Sequence, residues 1–219
     1  SLYSEEGSNS VLELYLFGPD ATNTVTVNWG DGTTDIFDAS EQLTKDYGTT
    51  PGAEDLKTVT LTAHNQNSRF AFGSRNFETV LKGNSMIKQV TEFPVWISEY
   101  PRAFRGAKNL TAVPSTLPDD GAPVVTSTFA MFEDATNFNA DISGWDTSAV
   151  TDMASMFRQA TSFNQSINTD GDNWNVSKVT SMNGMFEGAT AFNSDISGWD
   201  TSSVENMGGM FFRATSFDG

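Results

Sequence analysis

The sequence predicts an α+β protein: a small N-terminal β-sandwich followed by a solenoid of ~25-residue repeats, each a helix plus an extended leg. Three observations carry this. A unit recurs as MFEDATNFNADISGWDTSAVTDMAS, MFRQATSFNQSINTDGDNWNVSKVTSMNG and MFEGATAFNSDISGWDTSSVENMGG. The methionines that open it, Met131, Met156, Met185 and Met210, are spaced by 25, 29 and 25 residues, and the four extra residues fall between Ile167 and Trp174. The first 68 residues show no such unit and alternate apolar with polar residues instead.

The N-terminal block reads as strands. Val11 to Phe17 alternates through Leu12, Leu14 and Leu16, Val25, Val27 and Trp29 alternate into Gly30-Asp31-Gly32, and Thr58 to Ala63 alternates through Val59 and Leu61. Between its two glycines, Asp31 reads as a tight-turn residue whose carboxylate bonds local amides, with calcium as the competing reading.

The repeat begins before its clean copies. Phe104, Ala107 and Leu110 take the places of Phe132, Ala135 and Phe138, and GNSMIKQV at 83–90 matches GAKNLTAV at 106–113. The domains are therefore drawn as 1–68 for the β-sandwich and 69–219 for the solenoid, with degenerate repeats over 75–128 and regular ones over 131–217.

Within a regular repeat, Val150, Met153, Phe157 and Ala160 follow the rhythm of a helix face, with Thr147 or Ser148 as its N-cap. The stretch Phe138, Ile142, Trp145 reads as an extended return leg, repeated at Phe163, Ile167, Trp174 and at Phe192, Ile196, Trp199. One repeat cannot bury these aromatics alone, so neighbouring copies must stack into a continuous core.

Composition narrows the function. The 219 residues are 37% apolar and 12% aromatic, enough to fill a core. No apolar run approaches the roughly 18 to 20 residues of a membrane helix, so no direct insertion is expected. Zero cysteines remove disulfides, thiolate metal sites and cysteine nucleophiles. The net charge of −16 argues against a nucleic-acid partner, whose phosphates require clustered cations. That charge is uneven: −9 over residues 1–68, +4 over 69–108 and −11 over 109–219. The lack of an initiator methionine and the fourth repeat that opens at Met210 suggest a monomeric domain within a larger chain.

The combination MFxxAxxFNxDISxWDTSxVxxM over residues 75–217 resembles the BspA-like surface-protein family, bacterial arrays loosely grouped with leucine-rich repeats. WGDGTT, with the strands over roughly residues 10–68, is similar to the hallmark of polycystic-kidney-disease-type β-sandwich domains. The histidine and tyrosine motif usual before their last strand is absent, which suggests a reduced or irregular sandwich. The BspA-like resemblance implies an extracellular adhesin or lipoprotein at the bacterial cell surface, binding protein, matrix or cells of a host or neighbour.

Catalysis has little support. The single histidine, His64, has no cysteine, HExxH, GxSxG or phosphate-binding loop to join it, so no enzyme is expected. The basic island is the candidate ligand site: Trp96, Tyr100, Arg102, Arg105 and Lys108 cluster in sequence, and Trp, Tyr and Arg dominate binding hot spots. Arg can grip a carboxylate with two parallel bonds, which suits a peptide terminus or acidic side chain. The alternative is that these charges compensate acidic neighbours while the aromatics fill the domain junction. Asp119 with Asp120, and Asp170 with Asp172, are candidate calcium ligands beside turn-forming glycines, or else solvated turn residues. The expected function is a ligand-binding domain of a surface adhesin recognising a protein or peptide, with a glycan possible. The alternative is a structural spacer, and a carbohydrate-active enzyme or glycan-binding module ranks third.

Overall fold

The computed structural model describes residues 11–17, 24–28, 32–38, 42–46, 60–63, 70–72, 89, 97–99, 101–117, 124–168 and 174–219. Its strands are β1 (Val11–Phe17), β2 (Thr24–Asn28), β3 (Thr34–Asp38), β4 (Gln42–Asp46), β5 (Thr60–Ala63), β6 (Phe70–Phe72) and β7 (Ile97–Glu99). They form two sheets, one ordered β4-β1-β6-β7 and one ordered β3-β2-β5. The alternating apolar run of β1 lies between β4 and β6, antiparallel to both. Antiparallel β2 and β3 make the hairpin announced by WGDGTT, and Gly32 takes the positive φ of 91° that favours glycine there. The sheet of β1 draws β6 and β7 from beyond residue 68, the latter two paired in parallel.

The repeats stack as coils. Parallel single-residue bridges join Ser127 to Asp152, Asp152 to Ser181 and Ser181 to Asn206, one position per repeat. We number the described coils first (101–117), second (124–150), third (151–179), fourth (180–204) and fifth (205–219).

No helix occurs among the described residues, which overturns the α+β class with its helix-plus-leg repeats. The reason lies in where the amides go. A helix bonds each amide to the carbonyl four residues back. In the third coil, the amides of Met153, Ser155, Phe157 and Gln159 instead donate to the carbonyls of Ser181, Asn183, Met185 and Glu187 in the fourth, at 2.7–3.0 Å. The amides between them close tight turns three residues back, Met156 to Met153 and Arg158 to Ser155, at 3.1–3.2 Å. Every second amide thus crosses to the next coil.

Positive φ makes this alternation possible. Ser155 and Gln159 stand at 57° and 58°, and the same two positions recur as Arg102 and Gly106, Ala130 and Asp134, Gly184 and Gly188, Gly209 and Arg213. A left-handed residue at every fourth position breaks any helix and turns its own amide out toward the neighbouring coil. Apolar side chains still return inward every three or four residues, so the spacing imitates a helix face.

The proposed N-cap is likewise corrected. Thr147 is fully buried, and its hydroxyl donates to the carbonyl of Asn175 at 3.0 Å while accepting from the Asn175 amide at 2.8 Å, clipping two coils together.

The core is a set of columns. Phe104, Phe132, Phe157, Phe186 and Phe211 stack with ring centroids 5.6–5.8 Å apart, and Phe138, Phe163, Phe192 and Phe217 form a second file at 5.7–6.1 Å. Within a coil the two files touch at 3.9–4.0 Å. The buried indoles of Trp145 and Trp174, and the partly buried one of Trp199, donate to the carbonyls of Pro114, Ile142 and Ile167 on the preceding coil, so each large ring packs with its polar atom satisfied.

Candidate functional site

Of the residues nominated from sequence, Arg102, Arg105 and Lys108 are described, and all three lie in the first coil. Trp96, Tyr100, Asp119, Asp120, Asp170 and Asp172 lie outside the described residues. Lys108 is exposed, whereas Arg102 and Arg105 are only 5% and 4% exposed.

Arg105 is buried because it belongs to a column. The residue after the core phenylalanine is Arg105, then Glu133, Arg158, Glu187 and Phe212 in successive coils. Arg105 Nε lies 2.9 Å from Glu133 Oε2, Arg158 Nη1 lies 3.0 Å from Glu133 Oε1, and Arg158 Nε lies 3.2 Å from Glu187 Oε2. The sign alternates along the stack, so Glu133 is held by cations from both adjacent coils and Glu187 by Arg158 from the preceding one. Burial pushes the Glu133 carboxyl above the ordinary glutamate range, while Arg105 and Arg158 pull it back. Burial lowers Arg158, but Glu187 and Glu133 together hold its guanidinium above its usual value.

Among the described residues, Arg102 and Arg213 are the two left-handed positions that carry a long cationic side chain. The Arg102 guanidinium sits 4.4 Å from the ring centre of Phe129 in the second coil. Burial lowers its pKa first and Arg105 next, against attraction from Glu133 and from Asp152 two coils along. Asp152 is raised by burial, countered by the amide of Ala154 and by Arg102. Arg102 and Arg105 tie coils together.

The recurring aspartates act locally. Asp141, Asp146, Asp195 and Asp200 accept from the amides of Ser143, Ser148, Ser197 and Ser202 at 2.9–3.0 Å, and Asn175 does the same for Ser177. Recurrence of these residues at fixed repeat positions suggests a structural bond to the next coil, and the structure instead closes side-chain turns within one coil. Only Asp195 adds a bond across coils, from Asn168 at 3.3 Å. The cross-coil polar ladder is elsewhere: the Asn164 amide donates to Asn139 Oδ1, the Asn193 amide to Asn164 Oδ1 and the Asp218 amide to Asn193 Oδ1, at 2.8–3.0 Å.

Among the described residues no group of three histidine, aspartate or glutamate side chains is arranged to hold a metal, and no helix is long and apolar enough to cross a membrane. Sequence reading missed the Glu133, Arg158 and Glu187 members of the charged column. Its signal was present: the clean repeats read MFE, MFR, MFE.

Stacked coils, parallel bridges and an internal ladder of ion pairs define a repeat protein built from turns. Residues 101–219, more than half of the chain, match the family described as Mycoplasma protein of unknown function, DUF285, and the chain belongs to that family. Neither a curated protein nor a solved structure matches the chain.

Proposed function

We propose that the chain is a non-catalytic recognition module of a bacterial surface protein, displayed outside the cell, in which the coil array is the stiff support of a protein- or peptide-binding surface. The observation that carries this reading is the organisation of the array. Its aromatic files, alternating ion pairs and every second amide hold coil to coil, as a load-bearing scaffold requires, and its exposed positions repeat with the coil. The likeness of MFxxAxxFNxDISxWDTSxVxxM to BspA-like arrays supports the surface location and the adhesive role.

Arg102 and Arg105 are engaged inside the stack, so among the described residues the accessible cation of the basic island is Lys108, alongside the neighbouring Trp96 and Tyr100 in sequence. A carboxylate-bearing peptide is the ligand class this island suits. Peptide and glycan arrays probed with the 219-residue chain at millimolar calcium, with and without chelator, test the proposal. We expect acidic or carboxyl-terminal peptides to bind, and Lys108→Glu to weaken them about tenfold with an unchanged melting temperature. Absence of any binder would favour the spacer reading, which the self-satisfied surface of the regular coils also supports.

A further inference from the structure

We propose that the ion-pair column Arg105, Glu133, Arg158, Glu187 sets the order in which coils stack, by rejecting arrangements in which one coil is skipped. The need for such a device lies in the repeats themselves. Phe157, Phe163 and Trp174 of the third coil recur as Phe186, Phe192 and Trp199 of the fourth, so the apolar columns accept either coil against the second. The backbone is equally indifferent. The amides of Thr128, Ala130, Phe132 and Asp134 donate to main-chain carbonyls of the third coil at 2.8–3.1 Å, and a carbonyl carries no side-chain identity. Looping out one coil has an entropic cost that grows only slowly with length. Folding that can start at any repeat therefore brings wrong neighbours together while the chain is partly formed.

The column separates right neighbours from wrong ones. Each native step pairs opposite signs, at 2.9 Å, 3.0 Å and 3.2 Å. Because the sign has a period of two coils, one skipped coil always joins like charges: without the second coil Arg105 meets Arg158, and without the third Glu133 meets Glu187. Arg105 and Glu133 are 4% and 6% exposed, where water screens little, so a like pair there is far less favourable than at the surface.

A second charge acts in the same direction. Asp152 attracts Arg102 from two coils away, and skipping the third coil brings Ser181 to the place of Asp152. Stability alone does not account for the column. A buried ion pair stabilises little compared with apolar side chains of its volume, and fixing a register is the role it serves best.

The chain has no cysteine, so introduced pairs report cleanly on which coils are neighbours. Asn137, Ser162 and Ala191 share one column at the edge of the stack, where the amides of Ser162 and Ala191 donate to the carbonyls of Thr136 and Thr161 one coil back. Adjacent coils lie about 5 Å apart, so residues two coils apart stand about 10 Å apart, beyond the reach of about 7 Å that a disulfide allows. Asn137→Cys with Ser162→Cys thus reports the native order, and Asn137→Cys with Ala191→Cys reports a skipped third coil.

The 219-residue chain carrying either pair is refolded from denaturant under oxidising conditions, and crosslinked monomer is counted. With the parent column the native crosslink should dominate. Neutralising the column by Glu133→Gln, Arg158→Gln and Glu187→Gln should raise the skipped crosslink at least about fivefold. Glu187→Arg should raise it further, because that cation meets Glu133 only when the third coil is left out. Ile167→Val weakens the third coil by one buried methyl without touching the column, and should leave the skipped crosslink unchanged. The crosslinks are captured during refolding, so the outcome does not depend on the final stability of any variant. Equal skipped crosslinking with all three columns, or the same rise with Ile167→Val, would overturn the proposal.

Discussion

At the scale of single residues, backbone conformation decides more than side-chain type. Non-glycine residues in the left-handed region carry a cost of roughly 1–2 kcal/mol each. Ala130, Asp134, Ser155 and Gln159 bear it because each amide gains a bond to the following coil at 2.7–2.9 Å. One residue breaks the logic of its column: Thr128 occupies the place of Met153 and Met182, and its fully buried hydroxyl has no hydrogen-bond partner among the described residues. Replacing the hydroxyl by a methyl of the same shape removes that unmet polar group. Thr128→Val is therefore expected to stabilise the protein by about 1 kcal/mol, since a buried unsatisfied hydroxyl costs about 1–3 kcal/mol. Denaturant unfolding checks it, and a lower midpoint at unchanged slope would contradict it.

At the scale of the coil, the return legs depend on side-chain turns that are sensitive to acid. The amide of Ser143 and then its hydroxyl hold Asp141 below the ordinary aspartate range, and Ser197 does the same for Asp195. For Asp200 the hydroxyl of Ser202 leads and its amide follows. A carboxyl whose folded pKa is depressed contributes stability above its unfolded pKa, and that contribution is lost as pH falls through the folded value. Asn175 closes the turn equivalent to that of Asp200 without titrating, and Asn206 likewise closes the turn that Asp152 makes at the bridge position. The triple change Asp141→Asn, Asp195→Asn, Asp200→Asn should leave the melting temperature at pH 7 nearly unchanged and flatten its decline below pH 4, the ordinary aspartate range. A melting curve against pH that declines as steeply as the parent's would contradict this role.

At the scale of the whole molecule, the sequence exposed the contents of the core more clearly than the path of the chain. Phe138, Ile142 and Trp145 and their counterparts were readable as stacked columns because burial of large apolar groups is periodic along the chain. The β1 run and the β2–β3 hairpin were readable for a similar reason, through alternation and turn chemistry. The helix was misread because Val150, Met153, Phe157 and Ala160 return inward every three to four residues in a turning chain as they would in a helix. Gly184 and Gly188, four apart within one supposed helix, were the contrary signal, since two interior glycines weaken a helix by about 1 kcal/mol each. In the candidate site Arg105 was visible as a cation, but its partners were not, because Glu133 and Arg158 lie one and two coils further on and only the coil stack brings them together.

The central claim is that alternate amides cross between coils. NMR scalar couplings transmitted through hydrogen bonds measure it directly in the third coil. The account expects couplings from the amide nitrogens of Met153, Ser155, Phe157 and Gln159 to the carbonyl carbons of Ser181, Asn183, Met185 and Glu187. Couplings from those amides to the carbonyls four residues before them, the signature of a helix, would contradict it.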